Sequence, residues 1–218
     1  MNAASQRFTV AGPAGALEVV ADGPELASAR GLALVCHPHP LHGGTLDNKV
    51  VQTLARALVQ LGWRALRFNF RGIGQSAGTW DEGPGEVDDA MAVLNTFSTD
   101  AAALTITGFS FGGYVASQVT ARLLQAQRAV ERTVLVGPAV QNFTVAPVPA
   151  GSLVVHGELD DVVPLSAVFD WARPHAQPVT VLPGAGHFFH GQLPALKQIV
   201  LGAWGVTPPR PSPHSHST

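Results

Sequence analysis

Short apolar runs and helical stripes alternate along the chain. Arg7–Val10 and Leu17–Val20 are strand-like runs separated by Gly12, Pro13 and Gly15, a spacing that predicts an N-terminal antiparallel hairpin. Leu32–Cys36 is apolar at every position, as a strand buried on both faces requires. Leu46–Leu61 carries Val50, Leu54, Leu58 and Leu61 at intervals of three and four, which predicts a helix stopped by Gly62. Trp63–Phe68 is the next strand. Glu86–Phe97 is helical behind Pro84 and Gly85, with Val87, Met91 and Leu94 on one face. The strand Leu104–Thr107, the helix Phe111–Gln125, and the strands Thr133–Val136 and Leu153–His156 follow. Leu165–Ala172 is a helix, Val179–Leu182 a strand and Gln192–Leu201 the last helix. This alternation predicts a mostly parallel central sheet with helices on both faces and right-handed crossovers. Residues 1–204 are expected to form one domain. The stretch 205–218, with Pro208, Pro209, Pro211 and Pro213 among Ser, Thr and His, is expected to be a disordered tail.

Composition narrows the function classes. With 218 residues, 46 % of them hydrophobic and 13 % charged, the chain is not of the disordered type. A chain of this length buries about 70 % of its unfolded surface, so it needs no disulfide or metal staple. Thirteen Lys and Arg against fifteen Asp and Glu give a net charge of −2, without a basic cluster, which speaks against a nucleic-acid partner. The single cysteine, Cys36, lies inside an apolar run and is read as a buried, inert thiol. The first twenty residues lack a basic head followed by an apolar core, so no secretory signal is expected. No apolar run approaches the roughly 20 residues that span a bilayer, so no membrane partner is expected and the expected location is cytoplasmic. Oligomeric state has no signature in the sequence.

The chemistry lies at the ends of the strands. Gly108-Phe109-Ser110-Phe111-Gly112-Gly113 follows a strand and opens a helix, the context of a nucleophile elbow. Side chains two before and two after Ser110 would collide in so sharp a turn, which is why glycines stand there. The turn lifts the Ser110 hydroxyl above the sheet and leaves the Phe111 N–H facing an anion at the helix N-terminus. His156-Gly157-Glu158-Leu159-Asp160-Asp161-Val162-Val163-Pro164 puts carboxylates at the carboxyl edge of the sheet, where open α/β folds bind ligands. Gly184-Ala185-Gly186-His187-Phe188 puts a histidine on a glycine loop at the same edge. His156, at a strand end, is read as a packing residue.

These motifs, in the order Ser110, Asp160, His187, resemble the α/β-hydrolase superfamily over roughly residues 7–203. His37-Pro38-His39-Pro40-Leu41-His42-Gly43-Gly44 and Phe68-Asn69-Phe70-Arg71-Gly72-Ile73-Gly74-Gln75-Ser76 carry a narrower likeness to small lidless bacterial hydrolases related to dienelactone hydrolase and short carboxylesterases. Dienelactone hydrolase itself uses a cysteine nucleophile, so with Ser110 in the elbow its substrate does not carry over. The resemblance implies the α/β-hydrolase fold without a lid domain. It also implies a serine hydrolase of esterase type that forms an acyl-enzyme on small or medium carboxylic esters or thioesters. Ser110 would attack, His187 would act as base and Asp160 would orient it; the family pattern favours Asp160 over its neighbour Asp161.

One N–H of the oxyanion hole is expected from Phe111. Pro38 and Pro40 have no N–H, so His39 and Leu41 remain for the second, and the family position favours His39. The substrate is expected against Leu41, Phe109, Phe143, Val162 and Phe188, with Phe111 and Phe189 also bordering the cleft. His37, His39 and His42 suggest a metal site, but alternate residues of an extended segment face opposite ways and no carboxylate stands nearby. No metal or cofactor is expected, and the expected partner is a small-molecule ester. Arg71-Gly72-Ile73-Gly74-Gln75-Ser76-Ala77-Gly78 is a loop rather than a dinucleotide site. Arg71 is expected to form a surface ion pair with Asp81 or Glu82 or to line the site. Glu86, Asp88 and Asp89 are expected to serve the helix dipole. The same triad also suits a peptidase or acyltransferase, and the scaffold suits a binding protein.

Overall fold

The computed structural model describes residues 5–98 and 102–205. The expected tail lies outside the described residues, apart from Gly205. The hairpin strands are β1 (Gln6–Gly12) and β2 (Gly15–Asp22). Then come β3 (Leu32–Cys36), α1 (Lys49–Gln60), β4 (Arg64–Phe68), α2 (Pro84–Phe97), β5 (Leu104–Phe109) and α3 (Phe111–Gln125). The chain continues through β6 (Arg132–Val136), β7 (Leu153–Gly157), α4 (Leu165–Ala172), β8 (Thr180–Leu182) and α5 (Leu193–Gly202). All the expected elements are present, with ends shifted by a few residues. The Leu46–Leu61 stripe starts its helix at Lys49, because the Asn48 side chain accepts the Val50 and Val51 N–H groups and caps it there.

The strands form one sheet in the order β1-β2-β4-β3-β5-β6-β7-β8. β1, β2 and β4 pair antiparallel and the rest pair parallel. The inner strands are buried on both faces, and their side chains divide with a period of two. Leu32, Leu34 and Cys36 of β3 join Leu66, Phe68 and Ile106 on the face covered by α2, α3 and α4. Ala33 and Val35 join Val134, Val136 and Val155 on the face covered by α1 and α5. Cys36 is fully buried in this layer, and burial pushes its thiol pKa up, so it stays protonated.

From β3 the chain steps to β4 on one side, then crosses to β5 on the other. The carboxyl ends of β3 and β5 therefore lie side by side with their outgoing loops parting, the topological switch point at which open α/β sheets bind ligands. The segment 137–152 between β6 and β7 does not rise over this edge. It is tied down onto α3 and α4: Ser117 Oγ accepts the Ala146 N–H at 2.9 Å, Gln118 donates to the Thr144 carbonyl at 2.8 Å, and the Trp171 indole donates to the Val145 carbonyl at 3.0 Å.

Arg71 departs from its expected surface pairing. Its guanidinium is buried and donates to both oxygens of Asp89, at 3.0 and 2.8 Å, and to the Gly85 carbonyl at 2.7 Å. Asp81 is a longer contact at 3.6 Å. Asp89 therefore serves a buried ion pair. Glu86 accepts the Asp81 and Gly83 N–H groups and caps α2, and only Asp88 is exposed, paired with Arg122. Removing one partner of a buried pair strands the other charge, whereas an exposed pair contributes little. Asp89→Ala should lower the unfolding free energy by about 3–5 kcal/mol in urea titration, and Asp88→Ala by less than about 1 kcal/mol. Equal effects from the two would contradict this assignment.

Candidate active site

Ser110 stands between β5 and α3 with φ 57° and ψ −119°, a backbone conformation that is costly for a residue with a Cβ. Close packing enforces it. A Cβ on Gly108 would run into the Gly112 carbonyl, and one on Gly112 would run into the Cys36 and His37 carbonyls at the end of β3. Hydrogen bonds hold the turn from both sides: the Ser110 N–H donates to the Val136 carbonyl at 2.9 Å, and the Ser110 carbonyl accepts the Gly113 N–H at 2.8 Å.

The loops after β7 and β8 bring the other two groups to this hydroxyl. His187 Nε2 lies 3.0 Å from Ser110 Oγ, and His187 Nδ1 lies 2.7 Å from Asp160 Oδ2. Since a carboxylate only accepts, Nδ1 carries the hydrogen and Nε2 is free to take the serine proton. The three side chains are nearly covered, at 7 % (Ser110), 7 % (Asp160) and 3 % (His187) exposure. Burial acts to raise the Asp160 pKa. The hydrogen bonds from His187 and from the Val163 N–H outweigh it, so the carboxyl titrates below its ordinary value. Asp161 is exposed and, among the described residues, makes no hydrogen bond or ion pair with this network.

The loops also bind each other. The Leu159 N–H donates to the Ala185 carbonyl at 2.8 Å, and the Gly184 N–H donates to Glu158 at 2.8 Å. Nothing in the sequence pattern marked Glu158 for this task.

The loop after β3 borders the elbow. The Leu41 N–H is already engaged by its neighbour's ring, His39 Nδ1, at 3.2 Å. Among the described residues, neither the His39 N–H nor the Phe111 N–H has a hydrogen-bond partner. The His39 ring lies 5.5 Å from that of Phe111, so the two free N–H groups belong to adjoining segments. Burial, and then the neighbouring His42, hold the His39 pKa below its usual value. His37 is buried, its Nδ1–H donating to the Pro38 carbonyl at 2.6 Å and its Nε2 accepting the Phe70 N–H at 3.1 Å. Burial lowers its pKa to about 3, so it is a neutral strut with no lone pair left for a metal.

Several expected substrate contacts need correction. Phe109 is fully buried: as the last residue of β5 it turns to the α1/α5 face and lies under the His187 ring, 5.0 Å between centroids. Phe111 and Phe189 are fully buried too. The Phe111 ring is a hub that packs against Phe70, Trp80 and Phe143, at 5.6, 5.0 and 4.9 Å, and so locks the loops after β4 and β6 to the elbow. Leu41, Val162 and Phe188 are exposed, and Phe143 is half-buried. Leu159, exposed beside Asp160, was not among the expected contacts.

Known proteins bear on this geometry. The family described as "Serine aminopeptidase, S33" matches residues 39–177. An α/β serine hydrolase without lid from Xanthomonas campestris is 36 % identical, with 94 % of this chain and 97 % of that chain covered and a TM-score of 0.81. The chain belongs to the α/β serine hydrolase family. An α/β serine hydrolase homologue from Coxiella burnetii is 37 % identical, covering 90 % of this chain and 96 % of that one with a TM-score of 0.79. An uncharacterized protein of Rickettsia prowazekii is 34 % identical over 174 residues, 72 % of this chain and 71 % of its own length. In this family member the strained elbow depends on two side chains being absent. Gly112→Ala should therefore cost folding itself, with the cooperative thermal transition lost or lowered by many degrees in circular dichroism. An unchanged transition would show that the close approach is dispensable.

Proposed function

We propose that this serine hydrolase is an esterase that cleaves small or medium carboxylic esters or thioesters through an acyl-enzyme. The observation that carries the reading is the relay from Ser110 Oγ to His187 Nε2 at 3.0 Å and from His187 Nδ1 to Asp160 at 2.7 Å. His187 takes the serine proton as Ser110 attacks the acyl carbon, and returns it to the departing alcohol or thiol. Asp160 keeps the imidazole in its Nδ1–H form and stabilises the imidazolium. The N–H groups of Phe111 and His39 receive the oxyanion. A water, activated by the same His187, then releases the acid.

The apolar character of the substrate follows from the mouth of the site. Of the six large hydrophobic side chains exposed among the described residues, Leu41, Leu159, Val162 and Phe188 stand on the three loops that carry His39, Asp160 and His187. With no lid, this collar covers an acyl group of modest length and leaves a long chain in water. No step needs a metal or cofactor.

The family description favours a second reading, an aminopeptidase. That chemistry needs a carboxylate for the substrate ammonium. Asp161, exposed beside Asp160 and free of ion pairs among the described residues, is the one the acid loop presents.

A p-nitrophenyl ester series from C2 to C16, run beside aminoacyl p-nitroanilides, tests both readings. Ester turnover that falls at long chain length and drops to background in Ser110→Ala is expected. Turnover of anilides alone would replace the esterase reading with the second one. A wild type that neither turns over nor labels with a fluorophosphonate would reduce the fold to a binding scaffold. Within the relay, Asp160→Asn should lower kcat by about 10⁴-fold, and Asp161→Asn should leave ester turnover near wild type. The reverse ranking would transfer the acid's role to Asp161.

A further inference from the structure

We propose that His156, the last side chain of β7 before Gly157, is a positioning residue that holds the Asp160 carboxylate against His187; this rests on the relay proposed above. His156 is fully buried, and its Nε2 lies 2.8 Å from the Val163 carbonyl. A carbonyl only accepts, so Nε2 carries the hydrogen and Nδ1 is bare. Nδ1 is buried and has no partner among the described residues. A proton there would find no acceptor, and burial in any case lowers the pKa of the ring. His156 is therefore a neutral, one-way donor.

The same Nε2 is 3.4 Å from Asp160 Oδ2, the oxygen that takes the His187 Nδ1–H at 2.7 Å. Its hydrogen goes to the Val163 carbonyl, and the carboxylate oxygen is a close polar contact of the same nitrogen rather than a second hydrogen bond. The other carboxylate oxygen, Oδ1, accepts the Val162 and Val163 N–H groups at 3.0 and 2.7 Å. Asp160 thus grips the loop through the Val163 N–H, and His156 grips the same residue through its carbonyl. Oδ2 is left between the His187 Nδ1–H, on the loop after β8, and the His156 ring at the end of β7. The arrangement fixes which oxygen faces His187 and opposes rotation of the carboxylate. The titratable groups that act on His156 are Asp160 and His187.

The test compares His156→Phe and His156→Leu, which remove the donor, with His156→Gln, which retains an amide N–H of similar reach. Readouts are ester kinetics against pH and the rate of fluorophosphonate labelling of Ser110. A misplaced orienting group can cost up to about a hundredfold, so the donor-free variants should lose about ten- to a hundredfold in kcat and in labelling rate. KM should stay within about twofold, and Gln should recover most of the loss. With the His156 ring gone from beside Oδ2, the pH profile of kcat/KM should differ from that of the wild type. Folded donor-free variants that lose only thermal stability, with kcat, labelling and pH profile unchanged, would overturn the proposal.

A second measurement needs no change at 156. The His156 Nε2–H resonance in ¹⁵N-histidine spectra should shift when Asp160→Asn is introduced, and a resonance that stays in place would overturn the contact. Labelling of the wild type at Ser110 is scored first. Its absence would count against the esterase reading, while the resonance still tests the contact.

Discussion

The site depends on the contact of two backbones. At the switch point, the end of β3 and the start of α3 approach so closely that Gly112 lies against the Cys36 and His37 carbonyls, with Gly108 folded onto the Gly112 carbonyl. No side chain fits between them. This contact forces the positive φ of Ser110, which no local preference of serine would select. It also decides what stands beside the serine: the Pro38–Leu41 segment, whose prolines leave only two N–H groups, one of them already engaged by the His39 ring. The strained Ser110 and the free His39 N–H beside it are therefore products of one steric constraint.

Around that contact the protein places rigid polar struts where a sheet edge would otherwise be loose. His37 ties β3 to the Phe70 N–H, and Arg71, one residue on, is held by Asp89 from α2. Glu86 closes the same loop from inside the first turn of its helix. These groups bring Trp80 to within 5.0 Å of the Phe111 ring. Buried charge is costly unless paired or hydrogen-bonded: Arg71 and Asp89 pair with each other, and Glu86 accepts two backbone N–H groups. The loops after β4 and β6 are each held by polar contacts and each reach Phe111 through an aromatic ring, Trp80 and Phe143.

The strands, the elbow and the order of the three groups at the sheet edge were legible because each is written locally, as an apolar run, a glycine spacing or a loop after a strand. The partners of Arg71 were not. Asp81 and Glu82 are near in sequence, but the chain turns at Gly83 and brings α2 back, so Asp89 is the acid that meets the guanidinium inside. Phe109 was misread because an aromatic residue beside a candidate nucleophile suggests a pocket wall. The strand's period of two decides otherwise and sends that ring into the α1/α5 layer. Phe111 was named for its N–H alone, and the packing role of its ring depends on loops that sequence spacing does not bring together. Glu158 acts between the loops after β7 and β8, a pairing fixed only by the sheet order.

The burial of the three groups in a protein without a lid follows from the same economy of loops. Each loop that carries a polar group also carries an exposed apolar neighbour: Leu41 after His39, Leu159 before Asp160, Phe188 after His187. The loops screen their own polar atoms from solvent without any inserted segment. Such screening makes the Asp160 charge expensive, and the cost is met within the loop: Oδ1 accepts two backbone N–H groups, and His187 binds Oδ2. The carboxyl stays ionised because these donors outweigh burial, not because it reaches water. The Asp160 charge is thus held by fixed dipoles rather than by water that would have to reorganise. An inserted lid is not needed to cover these groups, because the exposed apolar neighbours on their own loops already screen them.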